Sequence, residues 1–284
     1  MSLSIFTNVS SLSAQRLFDQ NTSRLGDSIE RVASGFRVNK GSDDVAGLAI
    51  SEALRSDIRA MRQAIRNTND GISLLSVAEG ALAEQQGILI RLRELASQAT
   101  TGTIGATERR TLQLEFTALR TELDRIAQTT EFNGRALLDG SLSRTTRSLD
   151  HVNLQLGINS SEDSRINLNT ELDLDETTSK GLGIDDLTVN TAQDALNALD
   201  AVRDASDTLT KSRGKLGAIR NRLTQTLANL NISVENLSAA DSTIRDADIA
   251  EEIAILTRNQ ILTQASVAMV SQTNFLSRNL IQFL

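Results

Sequence analysis

From Val202 onward an aliphatic residue returns at every seventh position: Val202, Leu209, Leu216, Leu223, Leu230, Leu237 and Ile244. Seven residues is nearly two helical turns, so the spacing keeps one stripe on one helix face and lets that helix wrap along a partner. A second register follows in Ile255, Leu262, Met269, Leu276 and Phe283. No proline interrupts either run, because the 284 residues contain none. Average usage of ~5% would supply about 14, and each would remove a backbone donor and break a helix interior. Helices of about 40–60 residues would be roughly 60–90 Å long, a length suited to a rod rather than a globule.

The N-terminal arm reads the same way. Phe18, Thr22, Leu25, Ile29, Val32 and Phe36 alternate steps of four and three up to Asn39-Lys-Gly-Ser42, where Gly41 is placed to end one helix and Ser42 to cap the next. The following helix, to about Thr100, carries two stripes: Leu74, Ala78, Ala81, Gln85, Ile88, Leu92 and Leu95, and beside it Met61, Thr68, Leu75, Leu82 and Leu89. Two stripes imply two packing neighbours. A third helix is marked by Leu112, Phe116, Leu119, Leu123 and Ile126. Between the arms, residues 139–190 are rich in Gly, Ser, Thr, Asn and Asp. There Val152–Ile158 alternates with period two and a polar turn leads to Arg165–Leu168, which predicts a β-hairpin. The predicted fold is mainly α: an elongated antiparallel helical bundle with terminal coiled-coil helices and a small β-hairpin region.

Composition narrows the chemistry. Without cysteine there is no disulfide scaffold, thiol nucleophile or cysteine metal site, and with one histidine, His151, no two-histidine zinc site forms within a chain. No catalytic, cofactor-binding or metal-binding residues are expected, and an enzyme is not. The net charge of −7 argues against broad attraction to nucleic acid or anionic lipid. No apolar run approaches the 18 or so residues of a membrane span, and the opening MSLSIFTNVSSLSAQ lacks the pattern of a cleavable secretory signal.

With these features in view, the sequence resembles bacterial flagellins over nearly its whole length. Arg31–Arg37 (RVASGFR) followed by Ser42–Ser51 (SDDVAGLAIS) looks like the family's N-terminal signature. Asn67–Leu74, Arg93–Ala96 and Phe132–Gly140 continue it in order, as do Gly217–Leu223, Asn236–Ala240, Ile244–Asp248 and Thr257–Leu262. The resemblance implies a structural subunit of a motility filament, with an inner domain D0 formed by residues 1–41 with 242–284 and a domain D1 over 42–241. No room is left for the outer domains D2 and D3. It also implies export without cleavage through the flagellar type III apparatus and an extracellular location in the filament. The implied partners are other subunits, the cap and hook-associated proteins and an export chaperone. Two other functions share parts of this pattern: a hook–filament junction protein, and a cell-surface ligand-binding or adhesive flagellin homologue.

Several residues are candidates for function. The apolar positions Phe18, Leu25, Ile29, Val32, Phe36, Ile255, Leu262, Met269, Leu276 and Phe283 form the candidate self-assembly seam. Arg55, Arg59, Arg62 and Arg66 lie on one helix face, either solvated or paired between subunits with acids such as Asp246, Asp248, Glu251 and Glu252. Those acids and Asp43-Asp44 are also read as first-turn carboxylates that favour a helix dipole. By resemblance, Arg91, Leu95 and Glu115 match the surface that Toll-like receptor 5 binds in related flagellins. The middle segment (Ser141, Ser143, Thr145, Thr146, Ser148, Ser160, Ser161) is either a site of O-linked glycans, as in related filaments, or ordinary loop composition.

Overall fold

The computed structural model describes the backbone of residues 8–282 and side chains through residue 275. Six α-helices occur among these residues: α1 Val9–Ser34, α2 Val45–Thr100, α3 Ala106–Thr129, α4 Leu168–Leu172, α5 Ala192–Arg245 and α6 Ile249–Gln282. Strands β1 (Glu131–Phe132) and β2 (Arg135–Ala136) pair antiparallel, as do β3 (Asn153–Gln155) and β4 (Arg165–Asn167). Contacts divide the chain into two compact units, Met1–Ile58 with Glu235–Leu284 and Arg59–Val234.

Local chemistry sets the helix ends. The Asn8 side chain accepts from the Ser11 amide at 3.0 Å and starts α1, whereas Gly35, at φ 75°, ends it with its amide on the Arg31 carbonyl. The sequence pointed to Gly41 and Ser42 for this break; Gly35 takes the left-handed position, and Asp44 caps α2 by accepting from the Gly47 amide at 2.8 Å. At the far end of α2, the Arg109 guanidinium donates to the carbonyls of Ala99 and Thr101, satisfying acceptors that a helix end leaves open. Thr191 and Asp194 bond reciprocally at the start of α5, and Asp248 accepts from the Ala250 and Glu251 amides at the start of α6.

The central unit, Arg59–Val234, holds the hydrophobic core. Both stripes of α2 enter it: Leu74, Ala78, Leu92 and Leu95 from one, Leu75, Leu82 and Leu89 from the other. They meet Phe116, Leu123 and Ala127 of α3 and Val202, Leu209, Leu216 and Leu223 of α5. The intervening segment joins the same core through Leu137, Leu138, Leu142, Ile166, Leu168, Leu174, Ile184 and Val189. The predicted hairpin is present as β3–β4, with Leu154 opposite Ile166. A second hairpin, β1–β2, turns at Asn133-Gly134, both at positive φ (51° and 75°). That dipeptide is the sequence signal for such a turn.

Candidate functional site

In the terminal unit α1 and α6 run antiparallel, and a series of hydrogen bonds crosses between them. Asn21 Nδ2 donates to Ser266 Oγ at 2.7 Å, and Asn259 Nδ2 donates to Ser28 Oγ at 2.8 Å and to the Arg24 carbonyl at 3.3 Å. Nearer the chain ends, Asn8 Nδ2 reaches the Thr273 carbonyl and Ser11 Oγ donates to Asn274 Oδ1. Ala14, Ser28, Glu252, Asn259 and Ser266 are buried there. The sequence reading marked the apolar heptads and passed over this polar series, although its spacing is also seven: Asn21 to Ser28, and Glu252, Asn259, Ser266, Thr273.

The apolar candidates are divided between the seam and the outer surface. Phe18, Leu25, Val32 and Ile255 are half-buried, and Ile29 is exposed. Leu262 and Met269 keep 40% and 51% of their surface in water. The Leu276 side chain and all of Phe283 lie outside the described residues. Phe36 is not on the helical seam: it lies past the end of α1, bridged antiparallel to Asp246, with the Arg245 guanidinium 4.5 Å from its ring centroid. Beside it, the Arg37 amide donates to the Arg245 carbonyl at 2.7 Å and the Ala247 amide to the Gly35 carbonyl at 3.0 Å. The two helix breaks in this unit are thereby tied together.

Of the four arginines, Arg55 pairs with Glu52 on its own helix at 2.8 Å. Arg59, Arg62 and Arg66 are exposed, and no carboxylate lies within 4.0 Å of them among the described residues. Four of the acids are engaged locally. Asp248 and Asp44 cap helices, Asp246 accepts from the Ser242 hydroxyl at 2.5 Å, and Asp43 accepts from the Asn39 and Lys40 amides at 3.1 and 3.0 Å. Amide donation, from Lys40 first and then Asn39, holds the Asp43 carboxyl below its ordinary value. Among the described residues no group of three or more His, Cys, Asp or Glu side chains could hold a metal ion.

In the central unit Arg91 spans Glu94 at 2.9 Å and Glu115 at 2.7 Å on the exposed faces of α2 and α3. Its pKa is raised by the bonds to Glu94 and Glu115. Leu95 is fully buried and belongs to the core beneath this surface. Ile90 and Leu114 are the exposed apolar neighbours, at 54% and 73%. His151 belongs to the hairpin region, as expected: its Nδ1 faces Asn167 Nδ2 and its Nε2 faces the Thr146 carbonyl, each at 3.0 Å. Within the Ser/Thr-rich middle Ser143 is buried, Ser141 donates to the Ala136 carbonyl at 2.5 Å, and Ser148, Ser160 and Ser161 are exposed.

Comparison with known proteins accounts for both chain ends. A model of the bacterial flagellin N-terminal helical region matches residues 5–143, and one of the bacterial flagellin C-terminal helical region matches residues 199–284. Flagellin of Bacillus subtilis (strain 168) is 39% identical over 309 residues, covering 98% of each chain. Flagellin of Halalkalibacterium halodurans is 41% identical over 277 residues, again covering 98% of each. Flagellin FlaB1 of Treponema pallidum (strain Nichols) is 36% identical over 280 residues with the same coverage. With family models at both ends and relatives aligned along nearly the full length, the chain belongs to the bacterial flagellin family.

Proposed function

We propose that the chain is a structural subunit of an extracellular bacterial flagellar filament and polymerises with its own copies through the outward faces of α1 and α6. The observation that carries this is the surface of the terminal pair. Val9, Leu12, Leu17 and Ile29 on α1, and Ile253, Ile261, Leu262, Val267, Met269 and Phe275 on α6, are all exposed at 40% or more. A terminal pair that leaves so many large apolar side chains on its outer surface gains from neighbours that cover it. Complete burial of each such side chain contributes ~1.5–3 kcal/mol. The proposed inner domain D0 comprises residues 1–41 with 242–284, and D1 comprises 42–241. Export through the type III apparatus with a chaperone, and contact with cap and hook-associated proteins, belong to the same reading.

The test is Leu262→Asp. A charge at this position forfeits the burial term and adds a desolvation cost, while the core of the central unit lies elsewhere in the sequence. Seeded polymerisation, followed by sedimentation, should be abolished, with the main thermal transition by circular dichroism unchanged. Normal filaments from this variant would reject the assembly role of the seam. Copy number per flagellum separates a filament subunit from the hook–filament junction alternative.

A second reading is favoured by the ion pairs of Arg91, which fix a charged surface across α2 and α3 beside the apolar Ile90 and Leu114. This is the proposed contact for Toll-like receptor 5, with Leu95 supporting it from below. Arg91→Ala and Glu115→Ala should each weaken receptor binding with the helical fold intact; unchanged affinity of both rejects it. Arg55, Arg59, Arg62 and Arg66 are proposed as inter-subunit charges. Arg59→Glu with Arg62→Glu should slow seeded growth at low salt more than at high salt, because salt screens exposed charges.

A further inference from the structure

Two complementary features of the terminal pair point beyond assembly. The seam between the helices is mixed: half-buried Phe18, Leu25 and Val32 alternate along α1 with Ala14, Asn21 and Ser28, and the polar members bond across to α6. The rungs Asn21–Ser266 and Ser28–Asn259 step by seven on both helices in opposite directions. We propose that this hydrogen-bonded ladder is a register key: it selects one alignment of the C-terminal helix on the chain's own N-terminal arm and rejects alignments displaced by a heptad.

The argument is one of degeneracy. Apolar side chains repeating every seventh residue fit almost as well after a slip of one repeat, because non-directional burial does not distinguish Leu from Leu. A polar side chain in a helix seam does distinguish, since a donor displaced from its acceptor is left unpaired in a site that excludes water. Asn259 is 8% exposed, Ser266 4% and Ser28 3%, so their partners cannot be replaced cheaply by solvent. A slip of one heptad that brings Asn259 opposite Asn21 sets Ser266 against Ala14 and Glu252 against Ser28. Both observed rungs are then lost: Ser266 faces the Ala14 methyl, and Ser28 exchanges the Asn259 amide for the Glu252 carboxylate. The ladder therefore separates two tasks on one pair of helices, with the inner rungs choosing register and the outer aliphatic surface remaining available. Only the use of that outer surface rests on the filament reading; the register key concerns a single chain.

Because the chain has no native cysteine, register can be read by thiol pairing in the full-length soluble protein. Ser11→Cys with Asn274→Cys reports the observed alignment, in which the two side chains are 2.8 Å apart. Ser11→Cys with Val267→Cys reports the alignment displaced by one heptad. In a glutathione redox buffer the in-register pair should close with an effective concentration at least tenfold above the displaced pair. Adding Asn21→Leu and Asn259→Leu should bring the ratio towards one. Exchanging the partners of one rung, Ser28→Asn with Asn259→Ser, should retain most of the preference, which a loss of folding would not. Equal closure of both reporters with the ladder intact would overturn the proposal, as would an unchanged ratio after the Leu substitutions. Neither result bears on polymerisation, which is measured separately by sedimentation.

Discussion

Gly181 and Gly183 stand two residues apart and constrain the chain for different reasons. A Cβ on Gly181 would lie 2.1 Å from the Glu176 carbonyl oxygen, so the backbone itself would have to move. A Cβ on Gly183 meets open space, but the residue sits at φ 70°, which costs a non-glycine residue only its left-handed strain. Gly181→Ala should therefore destabilise the central unit by about 2–3 kcal/mol, the upper part of the range for overpacking. Gly183→Ala should cost about 1 kcal/mol. Urea denaturation of the two variants checks the order, and equal effects would refute the steric account. A close approach of backbone from Glu176 is a tertiary fact that local sequence does not carry. Asp43 is a similar case: its charge suggested a helix-dipole role, whereas it closes the Asn39–Lys40 turn. Its depressed pKa means the turn is stabilised above the ordinary carboxylate value and loses that support as pH falls through the lower folded value. Protection of the Asn39 and Lys40 amides should accordingly persist at neutral pH and fall on acidification below about 3.8, the ordinary aspartate value. Asp43→Asn should weaken that protection and flatten its pH dependence, measured by amide hydrogen exchange.

At the scale of elements, periodicity identified the helices and helix caps corrected their ends. The stripe from Val202 to Leu223 is legible because its burial is satisfied within the chain, and all four residues are at most 1% exposed. Leu209→Ala should cost about 2–5 kcal/mol through lost transfer and cavity terms. Met269→Ala, at a residue 51% exposed, should change monomer stability by less than about 0.5 kcal/mol. Denaturant midpoints of the two variants make the comparison. The same spacing in α6 has a different meaning, since Leu262 and Met269 are exposed while Asn259 and Ser266 are buried. Sequence reasoning weights an apolar repeat as a seam and a polar repeat as a surface. That rule fails in α6, where the polar repeat is buried and the apolar repeat is exposed. The middle segment was legible only in part: the alternation of Val152–Ile158 revealed β3–β4, but no periodic signal placed Leu137, Leu142, Leu174 and Ile184 in the helical core.

For the whole molecule, the uneven distribution of apolar burial has a thermal consequence. The central unit contains the large core cluster that unites α2, α3, α5 and the intervening segment. The terminal unit contributes few fully sequestered aliphatics, and its helix pair is joined by hydrogen bonds, each worth only about 0.5–1.5 kcal/mol net. Most helical stability in proteins comes from tertiary packing of an amphipathic face, and here that packing is thin. The unpolymerised chain should therefore melt in two steps by calorimetry and circular dichroism, with the terminal helices lost first and the central unit later. On the proposed assembly, copies bind the folded terminal unit and not the unfolded one, so by mass action polymerisation should raise the first transition more than the second. The two steps should then approach each other or merge in seeded filaments. A lower transition that persists unchanged in filaments would mean that copies do not cover the exposed faces of α1 and α6. A single cooperative transition in the soluble chain would mean that the terminal unit draws its stability from the central core, despite the polar contact that joins its helices.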